Sequence, residues 1–380
     1  MPGPLAQLRV LDLSRILAGP WSAQLLGDLG ADVTKVEQPG VGDDTRRWGP
    51  PFVTHSDGTP GDAAYYHCAN RNKTLLEIDF STPAGQRRLR ELACDSDVLI
   101  ENYKVGALAK YGLDYASLSL LNPRLIYCSI TGFGQTGPLK DRPGYDFLIQ
   151  AQGGLMSITG EKDGVPGGGP QKAGVAVTDL MAGMYATVGI LAALAHRDRT
   201  GEGQHIDLAL LDCSVAMLAN QNMNYLVGGE VPGRLGNAHP NIVPYQVFAT
   251  ADGYLVLAVG NDGQFRRFAE LNAQTWAEDA RFATNESRVR HREVLTALIA
   301  AVMKTRPTAG WIALLEQHNI PCGPVNDLAQ VFADPQVVHR QLQRTLTHPD
   351  GAMIPTVANP LNFSKTPVEY RHAPPRLGRK

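Results

Sequence analysis

Short apolar runs alternate with longer mixed stretches along the first half of the chain. An apolar run at Arg9–Ser14 is followed by a turn, a helical stretch from about Trp21 to Leu29, and a second apolar run at Asp32–Glu37. Pro20 suits the first position of that helix, and Gly30 suits its C-terminal end. The pattern predicts a β-α-β unit, from which parallel sheets covered by helices are built.

The same alternation continues to about residue 210, with apolar runs at 74–80, 97–103 and 123–134 and a helical stretch at 83–96. We therefore predict a doubly wound α/β fold whose large domain holds a parallel sheet and spans residues 1–220.

After Asn220 the pattern changes. Two strands flank an Ala-Asp-Gly turn within residues 245–259, and helical patterns follow from about Gln264, over Arg288–Lys304 and over Thr308–His318. Such a mixture predicts a smaller α+β domain at residues 221–330. The Pro-rich segment 331–380 is expected to return to the large domain, with a short strand at about 343–348.

The composition is that of a globular protein, with 43% hydrophobic and 19% charged residues. A formal net charge of -2 argues against nucleic acids or membranes as partners, because both require a basic face. Five scattered cysteines and ten histidines show no metal-binding spacing, so we expect reduced thiols and no metal. The first strand begins close to the N-terminus without a leader pattern, which predicts a cytoplasmic protein.

One acid, Asp179, lies within the long apolar run Gly174–His196. The apolar part, 180–195, falls short of the ~20 residues that span a bilayer, which favours a core helix. Asp179 is either the N-cap of that helix or a reactive carboxylate that the helix dipole keeps ionised. Gly183, one turn later, would leave space above the carboxylate.

Three further motifs allow two interpretations each. In "GDDTRRWGPPF", Arg46 or Arg47 either pairs with the local acids or binds a substrate carboxylate. His239, in the loop "GNAHPNIVPY", is either solvated or a site residue. The segment "GNDGQF", with Gly260, Gly263 and Gln264, is either a plain connection or a flap over a site. The first turn lacks the Gly-x-Gly-x-x-Gly pattern, so an NAD enzyme is poorly supported.

Several motifs, in this order along nearly the whole chain, carry a family resemblance. They are "VLDLSRILAGPWSAQLLGDLGADVTKVEQPGVGDDTR", "NRNK", "ENY", "NPRLIYCSITGFGQTGP", "GYD" and "GVAVTDLMAGMYA". Together they resemble the class III CoA-transferases, a family that includes formyl-CoA transferase, carnitine CoA-transferase and the α-methylacyl-CoA racemases. The details are most similar to the members that use succinyl-CoA and dicarboxylates such as glutarate.

The resemblance implies that Asp179 is the catalytic nucleophile, which forms an aspartyl anhydride and then an aspartyl-CoA thioester, with nearby amides stabilising the oxyanions. It implies CoA or acyl-CoA as substrate, no other cofactor and no metal. It also implies a Rossmann-like large domain with a smaller domain, and an interlocked homodimer of ring-like protomers. The implied CoA contacts are Arg15, Leu17, Ala18, Ile78, Ser81, Asn102, Lys110, Tyr145 and Asp146. Arg46, Arg47 and His239 would hold the substrate carboxylate.

Two alternatives stay open at this stage. An acyl-CoA racemase of the same family is one, although Tyr145 stands where the resemblance would place the histidine base of a racemase. A non-catalytic CoA-binding protein on the same fold is the other.

Overall fold

The computed structural model describes residues 2–378, which form two compact units. The larger unit contains residues 2–155, 173–219 and 334–378, and the smaller unit contains 156–172 and 220–333. The segment 156–172, which the sequence analysis includes in the large domain, belongs to the smaller unit. There the Arg234 side chain donates to the Glu161 carbonyl at 3.1 Å.

The larger unit is built on a six-stranded sheet. The first eight strands along the chain are β1 (Arg9–Asp12), β2 (Asp32–Glu37), β3 (Phe52–Thr54), β4 (Pro60–Ala63), β5 (Lys73–Glu77), β6 (Val98–Glu101), β7 (Ile126–Thr131) and β8 (His205–Ala209). The sheet has the order β5-β2-β1-β6-β7-β8, and all its neighbouring strands are parallel. This confirms the predicted α/β class with a parallel sheet. Strands β3 and β4 form a separate antiparallel hairpin.

The helices are distributed over both units, and in the larger unit several of them connect successive parallel strands, as in β-α-β units. They are α1 (Ala18–Asp28), α2 (Ala64–His67), α3 (Pro83–Cys94), α4 (Tyr115–Leu121), α5 (Asp146–Gln152), α6 (Leu155–Ile158), α7 (Val177–Thr200), α8 (Leu210–Met217), α9 (Ala219–Gly228), α10 (Asp262–Leu271), α11 (Asn285–Arg290), α12 (Arg292–Met303), α13 (Thr308–Gln317), α14 (Leu328–Ala333) and α15 (Pro335–His339). Short 3₁₀ helices lie at Asp44–Arg47, Ala109–Tyr111 and Trp276–Glu278.

The first β-α-β unit matches its prediction except at the start of the helix. Helix α1 begins at Ala18, so Pro20 is its third residue rather than its first. Gly30 follows the helix end with φ +106°, a conformation that residues with a side chain rarely adopt. A Cβ at this position would also lie 2.9 Å from the Cα of Gly3, so glycine is required there on two grounds.

Helix α7 packs against α1 and against strands β7 and β8. Among residues 2–378 it is the one helix long and apolar enough to cross a membrane by length and composition alone. A Cβ on its Gly183 would lie 2.7 Å from the carbonyl oxygen of Ala18. Gly183 therefore permits the close approach of α1 to α7, which corrects the expectation that it leaves space above Asp179.

The smaller unit has its own core and its own sheet. Strands β9 (Tyr245–Ala249), β10 (Tyr254–Ala258) and β11 (Cys322–Pro324) pair in antiparallel fashion in the order β11-β10-β9. The helix predicted at Arg288–Lys304 is two helices, α11 and α12, which meet at His291. In the larger unit, β12 (Gln343–Thr347) and β13 (Met353–Val357) form the last hairpin.

Candidate active site

A cavity of about 390 Å³ lies at the carboxyl ends of β1, β6 and β7 in the larger unit. Its walls are the turn 15–18, the loop after β6, the end of β7 and the segment 140–146, and Asp179 and Leu210 complete them. Strands β1 and β6 are the neighbours at which the strand order reverses direction. Ligands of open α/β sheets characteristically bind at this switch point.

Asp179 is half-buried in the cavity wall and is the third residue of α7. The interpretation of Asp179 as the N-cap is wrong, because Ala176 occupies the N-cap position. The Ala176 side chain cannot accept a hydrogen bond from the helix amides. The cap is supplied from another helix by Asp146. One oxygen of Asp146 accepts the amide of Thr178 at 2.8 Å and that of Asp179 at 3.2 Å.

Asp146 is itself held in place. It is the first residue of α5, and its second carboxylate oxygen accepts a hydrogen bond from the side chain of the buried Gln150 at 2.6 Å. The backbone amides at 177 and 180 bond to the carbonyls of residues 175 and 176. Because all four first amides of α7 have partners, they are not available for the expected oxyanion role.

Burial and, to a smaller extent, the neighbouring charge of Asp146 together raise the pKa of the Asp179 carboxyl to about 7. The position of Asp179 at the start of a helix predicts that the helix dipole keeps it ionised. Desolvation works in the opposite direction here, so the carboxyl titrates near neutral pH. The effect of Asp179 extends to Tyr65, whose pKa is raised to about 12 by burial first and then by the charge of Asp179.

Six of the nine predicted CoA contacts line the cavity: Arg15, Leu17, Ala18, Asn102, Tyr145 and Asp146. The side-chain amide of Asn102 bonds to both backbone groups of Arg15, accepting from its amide at 2.9 Å and donating to its carbonyl at 2.7 Å. Asn102 thus shapes the turn after β1 as well as lining the cavity.

The other three predicted contacts lie outside the cavity wall. Ile78 is half-buried beside Phe80, Ser81 donates to Asp79, and the ammonium of Lys110 lies 4.6 Å from the centre of the Tyr111 ring. The Phe80 ring packs edge-to-face against Tyr103, which does line the cavity. These three assignments remain predictions.

Three further cations, Lys104, Lys140 and Arg142, lie in the cavity wall and were not predicted from the sequence. They lie in the loops that follow β6 and β7, where the carboxyl ends of parallel strands meet. A search for basic residues after each predicted strand would have found them. Three cations beside Arg15 suit a ligand that carries phosphates.

Comparison with known proteins agrees with this architecture. Residues 5–380 match the model of CoA-transferase family III. The chain belongs to CoA-transferase family III. It is 54% identical over 376 residues to the succinate–glutarate CoA-transferase of Agrobacterium fabrum, covering 99% of this chain and 93% of that protein. It is 44% identical to the succinyl-CoA:glutarate CoA-transferase of Mus musculus, with coverage of 99% and 84%.

A solved structure is similar over its whole length. The crystal structure of a CAIB/BAIF family protein from Brucella suis superposes with a TM-score of 0.86 at 49% identity, covering 99% of this chain and 97% of that one. The protein is therefore an enzyme of the CoA-transferase type, as the resemblance predicted, and its substrates are CoA thioesters.

The structure argues against Arg46 as a carboxylate clamp of this CoA-transferase. Arg46 is only 5% exposed. Its guanidinium makes a two-point ion pair with Glu37 at 2.7 Å and bonds to Asp62 and to the Tyr66 hydroxyl, each at 2.6 Å. With these donors engaged inside the protein, Arg46 has an internal structural role. Arg47 is exposed, and its assignment remains a prediction.

His239 and the expected flap lie in the smaller unit. The His239 Nδ1 accepts the Asn241 amide at 3.0 Å, so the ring proton is on Nε2, and burial lowers the pKa of the imidazole. Gly260 precedes α10, whereas Gly263 and Gln264 lie in its first turn. The Gln264 side chain accepts the Gly260 amide at 2.8 Å, which closes this segment into a hydrogen-bonded turn.

Across residues 2–378, no three His, Cys, Asp or Glu side chains are grouped so that they could hold a metal ion. The five cysteines, all within residues 2–378, form no disulfide in the structure.

Proposed function

We propose that this enzyme moves CoA from succinyl-CoA to glutarate or a dicarboxylic acid of similar length. The names of its relatives from Agrobacterium fabrum and Mus musculus support this choice of donor and acceptor. The observation that carries the site assignment is the position of Asp179, half-buried in the cavity at the switch point of the sheet, with its helix capped by another residue.

In the proposed reaction the ionised Asp179 attacks the thioester carbonyl of succinyl-CoA. The C–S bond breaks, and a mixed anhydride and CoA thiolate result. The thiolate attacks the aspartyl carbonyl, releases succinate and leaves an aspartyl-CoA thioester. Glutarate then attacks this thioester, the thiolate leaves again, and its attack on the glutaryl carbonyl gives glutaryl-CoA and regenerates the Asp179 carboxylate.

A capping residue separate from the nucleophile supports this mechanism. Because Asp146 satisfies the amides of residues 178 and 179, the Asp179 carboxylate does not have to cap its own helix. The raised pKa is compatible with nucleophilic attack at neutral pH, since about half of the Asp179 carboxyls are then ionised and each is poorly hydrated.

The larger unit is proposed to bind CoA through Arg15, Lys104, Lys140 and Arg142, whose charges suit the phosphates. Ile78, Ser81 and Lys110 are proposed to extend the groove towards the adenine end. Arg47 and His239 remain candidates for holding the substrate carboxylate, and the segment with Gly260, Gly263 and Gln264 remains a candidate flap.

The experiment is incubation with succinyl-CoA and isotope-labelled glutarate, followed by mass spectrometry of products and of the digested protein. We expect labelled glutaryl-CoA, released succinate, and a CoA adduct on the peptide that contains Asp179. Deuterium incorporation at the α-carbon of a 2-methylacyl-CoA without any acceptor acid would overturn the proposal in favour of a racemase. CoA binding without exchange for any dicarboxylate would overturn it in favour of a non-catalytic protein.

We also propose an interlocked homodimer. Its support in the larger unit is an exposed apolar stripe on α7 at Met184, Val188 and Leu191, with the exposed Phe147 on α5. Two differently tagged preparations should each be dimeric by light scattering. They should form mixed dimers only after unfolding and refolding. A monomer, or mixing under native conditions, would contradict interlocking.

Cytoplasmic localisation and independence of metal are the remaining proposals. Full exchange activity after dialysis against EDTA is the expected result for the metal, and fractionation of the producing cells tests the compartment.

A further inference from the structure

The turn after β1 contains a strained residue in the wall of the cavity. Ile16 has φ +71°, which is an outlier for a β-branched side chain. It lies between Arg15 and Leu17, and all three residues line the cavity. Such a conformation persists only where the surrounding structure imposes it.

Asp43 is the residue that holds Ile16. Its two carboxylate oxygens lie 3.1 and 3.3 Å from the Ile16 amide nitrogen, which donates to them. The side chain of Asp43 is completely buried and pairs with the equally buried Lys35 at 3.1 Å. Lys35 also donates to the carbonyl of Ser14 at 2.9 Å, so this ion pair holds the turn at two points of its backbone.

A second buried ion pair holds the other end of the turn. Lys73 pairs with Asp12 at 2.9 Å and donates to the carbonyl of Pro20 at the same distance. Asp12 in turn accepts the amide of Ser14 at 3.0 Å. Residues 14–20 are therefore fixed between two internal lysines that do not themselves line the cavity.

Buried ion pairs are costly, because the desolvation of two charges offsets much of their attraction. Apolar side chains could fill such a space at no loss of stability. These charges fix the backbone around Ile16, which apolar residues would not do. The Asp43 carboxylate accepts the Ile16 amide, and the Lys35 ammonium donates to the Ser14 carbonyl.

We propose that Asp43, anchored by Lys35, is a positioning residue for the CoA thioester. It keeps Ile16 in the left-handed conformation, and this conformation directs Arg15 and Leu17 into the cavity wall. The inference rests on the proposed function in one respect, namely that this cavity binds the CoA thioester.

The test compares Asp43→Asn with Asp28→Asn. Asp28 is an equally buried carboxylate of the larger unit, paired with Arg71 at 2.6 Å, and it lies outside the cavity wall. We expect both variants to lose thermal stability. Only Asp43→Asn should raise the KM for succinyl-CoA, by about tenfold or more, with the KM for glutarate nearly unchanged. Equal KM values for succinyl-CoA in the two variants would overturn the inference.

A double-mutant cycle separates positioning from general damage. Glycine adopts the left-handed conformation without steric cost. In the Ile16→Gly background, Asp43→Asn should therefore raise the KM for succinyl-CoA by about threefold or less. The same increase in both backgrounds would show that Asp43 does not act through Ile16.

Calorimetric titration of the wild-type enzyme with CoA distinguishes a failure of the proposed function from a failure of the proposed role of Asp43. If the wild type neither binds CoA nor exchanges it, the proposed function fails. If the wild type does both and Asp43→Asn behaves like Asp28→Asn, only the inference about Asp43 fails.

Discussion

Asp146 caps the helix that carries Asp179. The Asp146 carboxylate accepts the amides of Thr178 and Asp179 at 2.8 and 3.2 Å, while its charge also helps to raise the pKa of Asp179. One residue thus supports the helix start and opposes ionisation of the carboxyl beside it. The helix can begin correctly without using the carboxylate that we propose as the nucleophile.

Removal of the Asp179 carboxylate should abolish CoA transfer. We expect Asp179→Asn to lower kcat by at least ~10³-fold, because an amide cannot form the anhydride. The measurement is glutaryl-CoA formation from succinyl-CoA. Glu293→Gln, which alters an exposed acid in the first turn of α12, serves as the control and should keep full activity. Comparable loss in both variants would contradict a special role for Asp179.

Activity should rise with pH through about 7 and then level off. Below that pH the Asp179 carboxyl is protonated and cannot attack, because its pKa is raised by burial and by Asp146. Asp146→Asn removes the neighbouring charge while an amide oxygen can still accept the two backbone amides. This variant should therefore move the acidic limb of kcat/KM for succinyl-CoA to lower pH.

Glu101 is the necessary control for that profile. It ends β6 under the cavity loop, and burial raises its pKa to about 7 as well. Glu101→Gln should leave the position of the acidic limb unchanged. If Glu101→Gln shifts the limb and Asp146→Asn does not, the titrating group is Glu101 and the assignment to Asp179 is wrong.

The Asp179 carboxylate should also lower the free energy of unfolding at high pH. Its pKa is about 7 in the folded protein and about 4 in an unfolded chain, so the folded state binds more protons between these values. Stability is therefore lost as the pH rises from about 4 to about 7. Asp179→Asn removes this penalty, which is on the order of a few kcal/mol. Thermal unfolding should show a larger gain in Tm for the variant at pH 8 than at pH 5, and a pH-independent difference would contradict the shift.

Substitution of Arg46 should destabilise the protein much more than substitution of Arg47. Arg46→Met leaves Glu37 and Asp62 without their buried partner, and we expect a loss of about 3–5 kcal/mol in the free energy of unfolding. Arg47→Met should cost almost no stability, because its side chain is exposed.

The KM for glutarate, measured on the folded fraction of each variant, tests which of the two arginines binds the distal carboxylate. Arg47→Met should raise the KM for glutarate if Arg47 holds the distal carboxylate. A normal unfolding transition for Arg46→Met, combined with a raised KM for glutarate, would restore Arg46 as the substrate residue.

Much of the larger unit could be predicted because its signals are local. The apolar runs of β1, β2 and β7 are short and mostly buried, and they alternate with helical or turn segments, so their length and spacing identify them. The start of α1 was misplaced by three residues because Pro20 is also tolerated in the third position of a helix. The boundary between α11 and α12 at His291 has no clear signal in the sequence, since Arg290, Arg292 and Glu293 around it are all good helix formers.

The site was less predictable, because its residues are distant in sequence. Asp179 and Asp146 are 33 positions apart, and no local pattern indicates which of them caps α7. Arg46 lies among local acids, yet its partners include Tyr66 and the carbonyl of Pro375. Gly183 was assigned to the nucleophile, whereas its real neighbour is Ala18 on another helix.

The α/β alternation, the family and an acid at the start of an apolar helix all follow from the order of the amino acids. Each of these features depends on the types of residues that lie close together in the sequence, so it can be recognised without the folded structure. The folded protein was needed to show that Asp146 caps α7, that Arg46 is internal, and that two buried lysines hold the turn beside Ile16. These relationships depend on burial and on distances between remote segments, and both arise only when the chain has folded.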